Sequence, residues 1–215
     1  MTPQGTDFRL EFKYPVGVHQ ASSQPPLGLG LRRAYPDRTV CSLYFDSPGR
    51  RLYLESEEGL AIRSKLRLRS YADFAADHPL RVEVKRRDGR MGAKHLVELA
   101  GMPLTDAVRQ TLQLTPVLQL DPDLRPLLFV RYRRSYFVTE RLGRPLRLTW
   151  DRDIAFQRYR ASLADHWVHR ASLSVLEVKG PVADAPAVEA LGRELPVRRS
   201  RFSKYALGVQ RLGVA

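Results

Sequence analysis

The sequence predicts a mainly β, α+β fold: a closed antiparallel eight-stranded β-barrel forming a tunnel, with a few peripheral helices. Three observations carry this expectation. Segments alternating with period two recur along the chain and outnumber helical ones. Several of them interleave apolar residues with charges, as in Lys65-Leu-Arg67-Leu-Arg69 and Arg81-Val-Glu83-Val-Lys85-Arg-Arg87. The pattern returns in Arg9-Leu-Glu11-Phe-Lys13, Arg147-Leu-Thr149-Trp-Asp151 and Val175-Leu-Glu177-Val-Lys179. Alternate side chains share a face of a strand, so each segment has one apolar and one charged face. Finally, closing such strands into a barrel gives all the charged faces one lumen, just wide enough for side chains or a small ligand. Lysines and arginines crowded there repel one another unless an anion binds.

The elements follow in order. Phe8–Tyr14 alternates as a strand, and Ala21–Gly30, with its Ser, Pro and Gly, reads as a loop. Thr39–Asp46 is the next strand, broken by Ser47-Pro48-Gly49; Arg51–Glu57 fits either a short strand or a helical turn. Leu60–Tyr71 and Leu80–Arg87 are neighbouring antiparallel strands, the second ending at the turn signal Asp88-Gly89. Lys94–Leu99 is a strand, and Thr105–Leu114 a helix opened by Thr105 or Asp106. Thr115–Pro126 is a proline-marked connection. Phe129–Thr139 and Leu146–Ile154 form a hairpin around Gly143, and Leu173–Lys179 is the last strand. Ala187–Leu195 reads as a helix, and Phe202–Val209 as a terminal, helical element.

The chain's 215 residues fit one domain, residues 1–215, with 43% hydrophobic and 27% charged residues excluding a disordered class. A net charge of +13 favours an anionic partner: phosphate, nucleic acid or a membrane surface. The lone Cys41 excludes an intramolecular disulfide and reads as a small buried hydrophobe. Met1–Phe12 lacks the pattern of a signal peptide and no apolar run is long enough to span a bilayer, so a cytoplasmic protein is expected, its membrane association limited to a partner or a basic surface.

Glu83 and Lys85 stand two apart on one strand, as do Glu177 and Lys179, and Glu11 and Lys13. Each pair presents a carboxylate and an ammonium to one side. Converging carboxylates suit Mg²⁺ or Mn²⁺, which take oxygen ligands and substrate phosphates. The five histidines, with His166 and His169 the single close pair, lack the further ligands of a zinc site. Asp46 reads as the start of the turn before Pro48, and Tyr44, Phe45 and Tyr53 as packing residues. A basic nucleic-acid-binding barrel is the rival class, but stacking aromatics should share the basic face, whereas here most alternate with the charges.

Taken in order, Glu11-Phe-Lys-Tyr14, Ser42-Leu-Tyr-Phe-Asp46, Lys65-Leu-Arg-Leu-Arg69, Val82-Glu-Val-Lys85, Tyr132-Arg-Arg-Ser-Tyr136, Leu146-Arg-Leu-Thr-Trp-Asp151, Leu176-Glu-Val-Lys179 and Arg201-Phe-Ser-Lys-Tyr205 resemble the VTC domain of the triphosphate tunnel metalloenzymes. The resemblance covers nearly the whole chain. It implies a barrel whose basic interior binds a triphosphate or polyphosphate, and synthesis of polyphosphate from ATP. Hydrolysis of tripolyphosphate or nucleoside triphosphate is the alternative, and a non-catalytic polyphosphate- or nucleic-acid-binding barrel the alternative of another class. Carried over by position, Lys13, Arg67, Arg69, Lys85, Arg134, Arg147, Lys179, Ser203 and Lys204 bind phosphate, with Lys85, Arg134 and Lys204 catalytic. The motif selects Arg134 over its neighbour Arg133. Glu177 is the first metal ligand, with Glu11 and Glu83 as partners to Mn²⁺ or Mg²⁺. The broader superfamily's opening Glu-x-Glu-x-Lys is altered here, because Arg9 stands where the first glutamate would be. The chain resembles a stand-alone bacterial version, with room for a membrane-protein partner.

Overall fold

The structure is a computed structural model that describes residues 9–17, 30–74, 78–88, 91–160 and 169–214. Among them run β1 (Arg9–Gly17), β2 (Arg32–Asp46), α1 (Arg51–Glu57), β3 (Ile62–Ser70), β4 (Leu80–Asp88), β5 (Met91–Leu99), α2 (Leu104–Gln113), β6 (Arg125–Arg141), β7 (Arg144–Arg158), β8 (His169–Arg170), β9 (Leu173–Pro181), α3 (Ala185–Arg193) and α4 (Lys204–Leu212). The mainly β expectation holds. Most of the loop expected over Ala21–Gly30 lies outside the described residues, as do His19, His166 and Gly89.

The strands hydrogen-bond in the order β1-β9-β7-β6-β2-β3-β4-β5, with two-residue β8 joined to β7. The expected closure into an eight-stranded barrel is corrected: among the described residues the sheet is not closed by hydrogen bonds, and β1 and β5 are its ends. Both ends carry features that disfavour further pairing. Ser200 donates its N–H to the Lys13 carbonyl at 3.0 Å on β1, and β5 exposes Lys94, His95 and Glu98.

The chain forms two compact units, the first from Met1–Arg38, Tyr132–Ile154 and Ala171–Phe202, the second from Thr39–Arg131, Ala155–Arg170 and Ser203–Ala215. In the first, Leu146, Leu148 and Trp150 of β7, Leu176 and Val178 of β9, and Tyr14 and Val16 of β1 form a core against Ala187, Val188 and Leu191 of α3. The residues between them, Glu11, Lys13, Arg147, Thr149 and Glu177, are left to the opposite face. In the second unit, Cys41, Leu43 and Phe45 of β2, Leu66 and Leu68 of β3, and Val82 and Val84 of β4 pack with Ala107 and Val108 of α2. Their alternates again make a charged face. Gly208 lets α4 approach closely, since a Cβ there would sit 2.8 Å from the Phe156 ring.

Asp46 settles the ambiguous Arg51–Glu57 as a helix. Its buried carboxylate accepts the N–H groups of Leu52 (2.9 Å) and Tyr53 (3.0 Å), and the Tyr205 hydroxyl from α4. Two orphan donors of the first turn are thereby satisfied. The helix expected from Thr105 begins instead at Leu104 behind Pro103, with no side-chain cap. β2 starts at Arg32, earlier than expected, because Pro36 and the surrounding charges disguise the alternation. Ser203 caps α4 by accepting the Ala206 N–H at 3.3 Å. No helix among the described residues is long and apolar enough to cross a membrane.

Candidate functional site

On the first unit the strand register builds a checkerboard of charge. Glu11 pairs with Lys179, which pairs with Arg147; Lys13 pairs with Glu177, which pairs with Thr149. Between β1 and β9 opposite charges thus stand directly across from one another, the stabilising arrangement for cross-strand neighbours, whereas across to β7 Lys179 faces a like charge in Arg147. Lys13 Nζ lies 3.2 Å from Glu11 Oε1 and donates to the Phe202 carbonyl at 3.1 Å. Glu177, 5% exposed, receives Thr149 Oγ1 at 3.4 Å, Lys179 Nζ at 3.4 Å and Arg134 Nη2 at 3.5 Å, all on Oε2. Arg147 is exposed at the end of its row.

Arg134 is fixed from several sides. It forks onto Asp151, Nε to Oδ1 at 2.6 Å and Nη2 to Oδ2 at 2.7 Å, and its guanidinium lies 5.2 Å from the Tyr132 ring centroid. Burial opposes its charge, yet Tyr132, Asp151 and Glu177 outweigh that and hold its pKa above the ordinary value. Arg133 is exposed and pairs with Asp37 at 3.3 Å. Arg134 and Arg133 thus part to different partners, Arg134 half-buried on Asp151 and Arg133 exposed on Asp37.

The second unit's face is more strongly cationic. Lys65 pairs with Lys85, which pairs with Lys94, setting three lysines side by side across three strands. The next row runs Tyr44, Arg67, Glu83, and the one beyond it Ser42, Arg69, Arg81. Glu83, 2% exposed, takes Arg67 Nε at 2.7 Å and Arg69 Nη1 at 3.6 Å on Oε2, and Lys94 Nζ at 3.1 Å on Oε1. Burial raises its pKa, but Arg67, Arg69 and Lys94 more than reverse this and hold it well below the carboxylate range. Arg69 Nε also donates to Ser42 Oγ at 3.1 Å.

Lys65 Nζ reaches Ser203 Oγ at 3.0 Å, which brings the start of α4, and with it Lys204, to this basic face. Lys85 is exposed and Lys204 half-buried. Tyr44 stacks on Tyr205 with centroids 4.9 Å apart and accepts a hydrogen bond from Arg67 Nη1 at 3.1 Å. Burial drives its pKa up, but Arg67, Arg69 and Lys65 prevail and lower it to about 8.

The structure thus gathers Glu11, Lys13, Arg134, Arg147, Glu177 and Lys179 on the first unit's face, and Arg67, Arg69, Glu83, Lys85, Ser203 and Lys204 on the second's. Sequence reasoning passed over Lys65, Lys94, Tyr44, Thr149 and Asp151 as site residues. All but Lys94 stood in quoted motifs at the right parity, so period two was the signal that could have found them. Lys94 needed the β4–β5 register.

Among the described residues no group of three or more His, Cys, Asp and Glu side chains is arranged to hold a metal ion. Glu177 and its diagonal neighbour Glu11 nevertheless offer hard oxygen donors on adjacent strands. That set fits an ion that takes one or two carboxylates and completes its shell with water and phosphate oxygens, as Mg²⁺ does. It does not make a three-carboxylate cage, and both Glu83 oxygens are already engaged by cations.

Antiparallel strands with helix-backed apolar faces and Lys, Arg and Glu on the opposite faces are consistent with a tunnel-type fold. The chain belongs to the VTC domain family, whose model matches residues 8–213 and runs through both units. A presumed adenylate cyclase from Vibrio parahaemolyticus is similar in structure, with a TM-score of 0.52 at 15% identity over 94% of this chain and 99% of that one. PH1819 protein from Pyrococcus horikoshii OT3 gives a TM-score of 0.51 at 14% identity over 96% and 99%. At such identities the likeness is one of fold. Among curated proteins no sequence matches.

Proposed function

We propose that this chain is a metal-dependent phosphotransferase acting on triphosphates within one VTC-type domain, and that its preferred reaction is synthesis of polyphosphate from ATP. The observation that supports it best is the row Lys65, Lys85, Lys94. Like charges opposed across strands destabilise a sheet; Glu83 already meets Lys94 at 3.1 Å, and a polyanion adds negative charge along the whole row. Nucleic acid is a poorer fit, because on that face Tyr44 is 7% exposed and already stacked on Tyr205, and the Tyr71 ring is taken by the Arg69 and Arg81 guanidinium groups.

In phosphoryl transfer the bond from the terminal phosphorus to its bridging oxygen breaks while a bond to the acceptor oxygen forms, and the protein mainly aligns oxygens and compensates charge. Arg134, held by Asp151, and Lys13, held by Glu11 and the Phe202 carbonyl, are pre-positioned for that compensation. Arg147 and Lys179 on the first unit's face, and Lys85, Arg67, Arg69, Ser203 and Lys204 on the second unit's, are the further phosphate-gripping groups of this reading. Mn²⁺ or Mg²⁺ held by Glu177 and Glu11 would, when bound, neutralise phosphate charge. With a phosphate chain as acceptor the product is polymer; with water it is free phosphate.

The deciding experiment incubates the protein with Mn²⁺ or Mg²⁺ and ATP, and separately tripolyphosphate, and resolves long-chain product from released phosphate. Polymer from ATP is expected, while phosphate alone would convert the assignment to a triphosphate hydrolase. Activity that survives unchanged in Glu177→Ala and Lys85→Ala would sink both.

A further inference from the structure

A groove of about 580 Å³ opens on the first unit, on the reverse side of β1. Phe12 and Tyr14 line it, and they alternate along the strand with Glu11 and Lys13, so the groove faces away from the charged checkerboard. Its apolar wall is Phe12, Pro196 and Val197; its basic groups are Arg193, Arg198 and Arg199, opposed by the single carboxylate of Glu189. Arg199 lies over the Phe12 ring, 4.2 Å from its centroid. Arg193 and Arg198 are exposed and make no ion pair among the described residues. The groove therefore joins an excess of two positive charges to an apolar surface, and nothing in the phosphate chemistry of the opposite face uses it.

We infer that this groove is a docking site for an acidic linear peptide with an apolar anchor, presented by a partner protein. Charge complementarity selects an anion. The Phe12, Pro196 and Val197 wall selects one with an apolar side chain, because inorganic phosphate gains nothing from such a surface. The rim also leads back to the site: the chain beyond Arg199 bonds Lys13 through the Ser200 N–H at 3.0 Å and the Phe202 carbonyl at 3.1 Å. A bound partner thus rests on the strand that positions Lys13.

The test uses fluorescence polarisation with a labelled peptide whose central Leu-Phe pair is flanked by Asp and Glu, titrated with the whole protein. Binding is expected, weakened about tenfold or more by the double variant Arg193→Glu, Arg198→Glu. Binding is also expected to be lost when the peptide's Leu-Phe pair becomes Ser-Ser, and to survive saturating tripolyphosphate. No binding, equal binding to the charge-reversed variant, retention by the Ser-Ser peptide, or displacement by tripolyphosphate would each overturn the assignment. So would capture of phosphatidylserine vesicles through the same arginines without capture of the peptide.

Discussion

Replacing Glu83 by Gln tests whether this carboxylate serves as a counter-ion to the cations around it. Breaking a fully buried ion pair by removing one partner costs about 3–5 kcal/mol. Here the Arg67 side chain is 25% exposed and that of Lys94 50%, so solvent screens part of the loss. Gln also keeps a hydrogen-bond acceptor for Arg67. A cost of about 2 kcal/mol follows, which for a chain of this size lowers Tm by about 4–8 °C. Ligand binding responds to the same substitution with the opposite sign. A triphosphate at one hundred times its Kd stabilises a protein by about 2.7 kcal/mol, and its gain grows in the variant, whose Arg67, Arg69 and Lys94 no longer share Glu83. Thermal unfolding with and without tripolyphosphate, in the presence of a chelator, measures both quantities. A variant that melts with the wild type, or that gains less from tripolyphosphate than the wild type does, refutes the counter-ion role.

Three further outcomes are expected. Tyr44, lowered to about 8 against an ordinary value near 10, favours its phenolate in the folded state. Its stabilising contribution is therefore fully present above the unfolded value and lost as pH falls through about 8; an ultraviolet titration should show a phenolate step there that Tyr44→Phe removes. Glu83 and Asp37 both have lowered pKa values. At Asp37, burial raises the value, but hydrogen bonds from Ser135 and Arg33 and the charges of Arg33 and Arg152 prevail. Their contributions are present above the ordinary carboxylate range, about pH 4, and lost on acidification, so denaturant stability should fall below about pH 4 less steeply in Asp37→Asn. Gly208→Ala should cost about 1–3 kcal/mol in denaturant unfolding by forcing a methyl group into Phe156.

The strands and their charged faces were legible because period two survives in plain residue order. Arg67, Glu83 and Lys85 could be placed on one face before any register was known. What the sequence could not supply is register itself: the Lys65, Lys85, Lys94 row and the Glu83 cluster depend on which residues stand opposite, and no local pattern states that. Closure failed for a related reason. A charged inner face calls for neighbours but does not require hydrogen bonds between β1 and β5, and chain contacts such as Ser200 on Lys13 can occupy an edge. Asp46 looked like a turn residue since its bonds to Leu52 and Tyr53 mimic a local cap, while its bond to Tyr205 is invisible locally. Lys94 was missed because nine-residue β5 sets Leu96 between Lys94 and Glu98 on one face and so lacks the unbroken charged alternation of β3.

That Asp46–Tyr205 bond also has a kinetic meaning. It joins residues 159 positions apart, so the second unit cannot complete its basic face until the chain has closed one of its longest loops. Docking of α4 brings Ser203 to Lys65 in the same event. If that docking follows the rate-limiting step, the contacts it makes restrain unfolding more than they hasten folding. The seating of a single C-terminal helix then times both the appearance and the loss of binding competence.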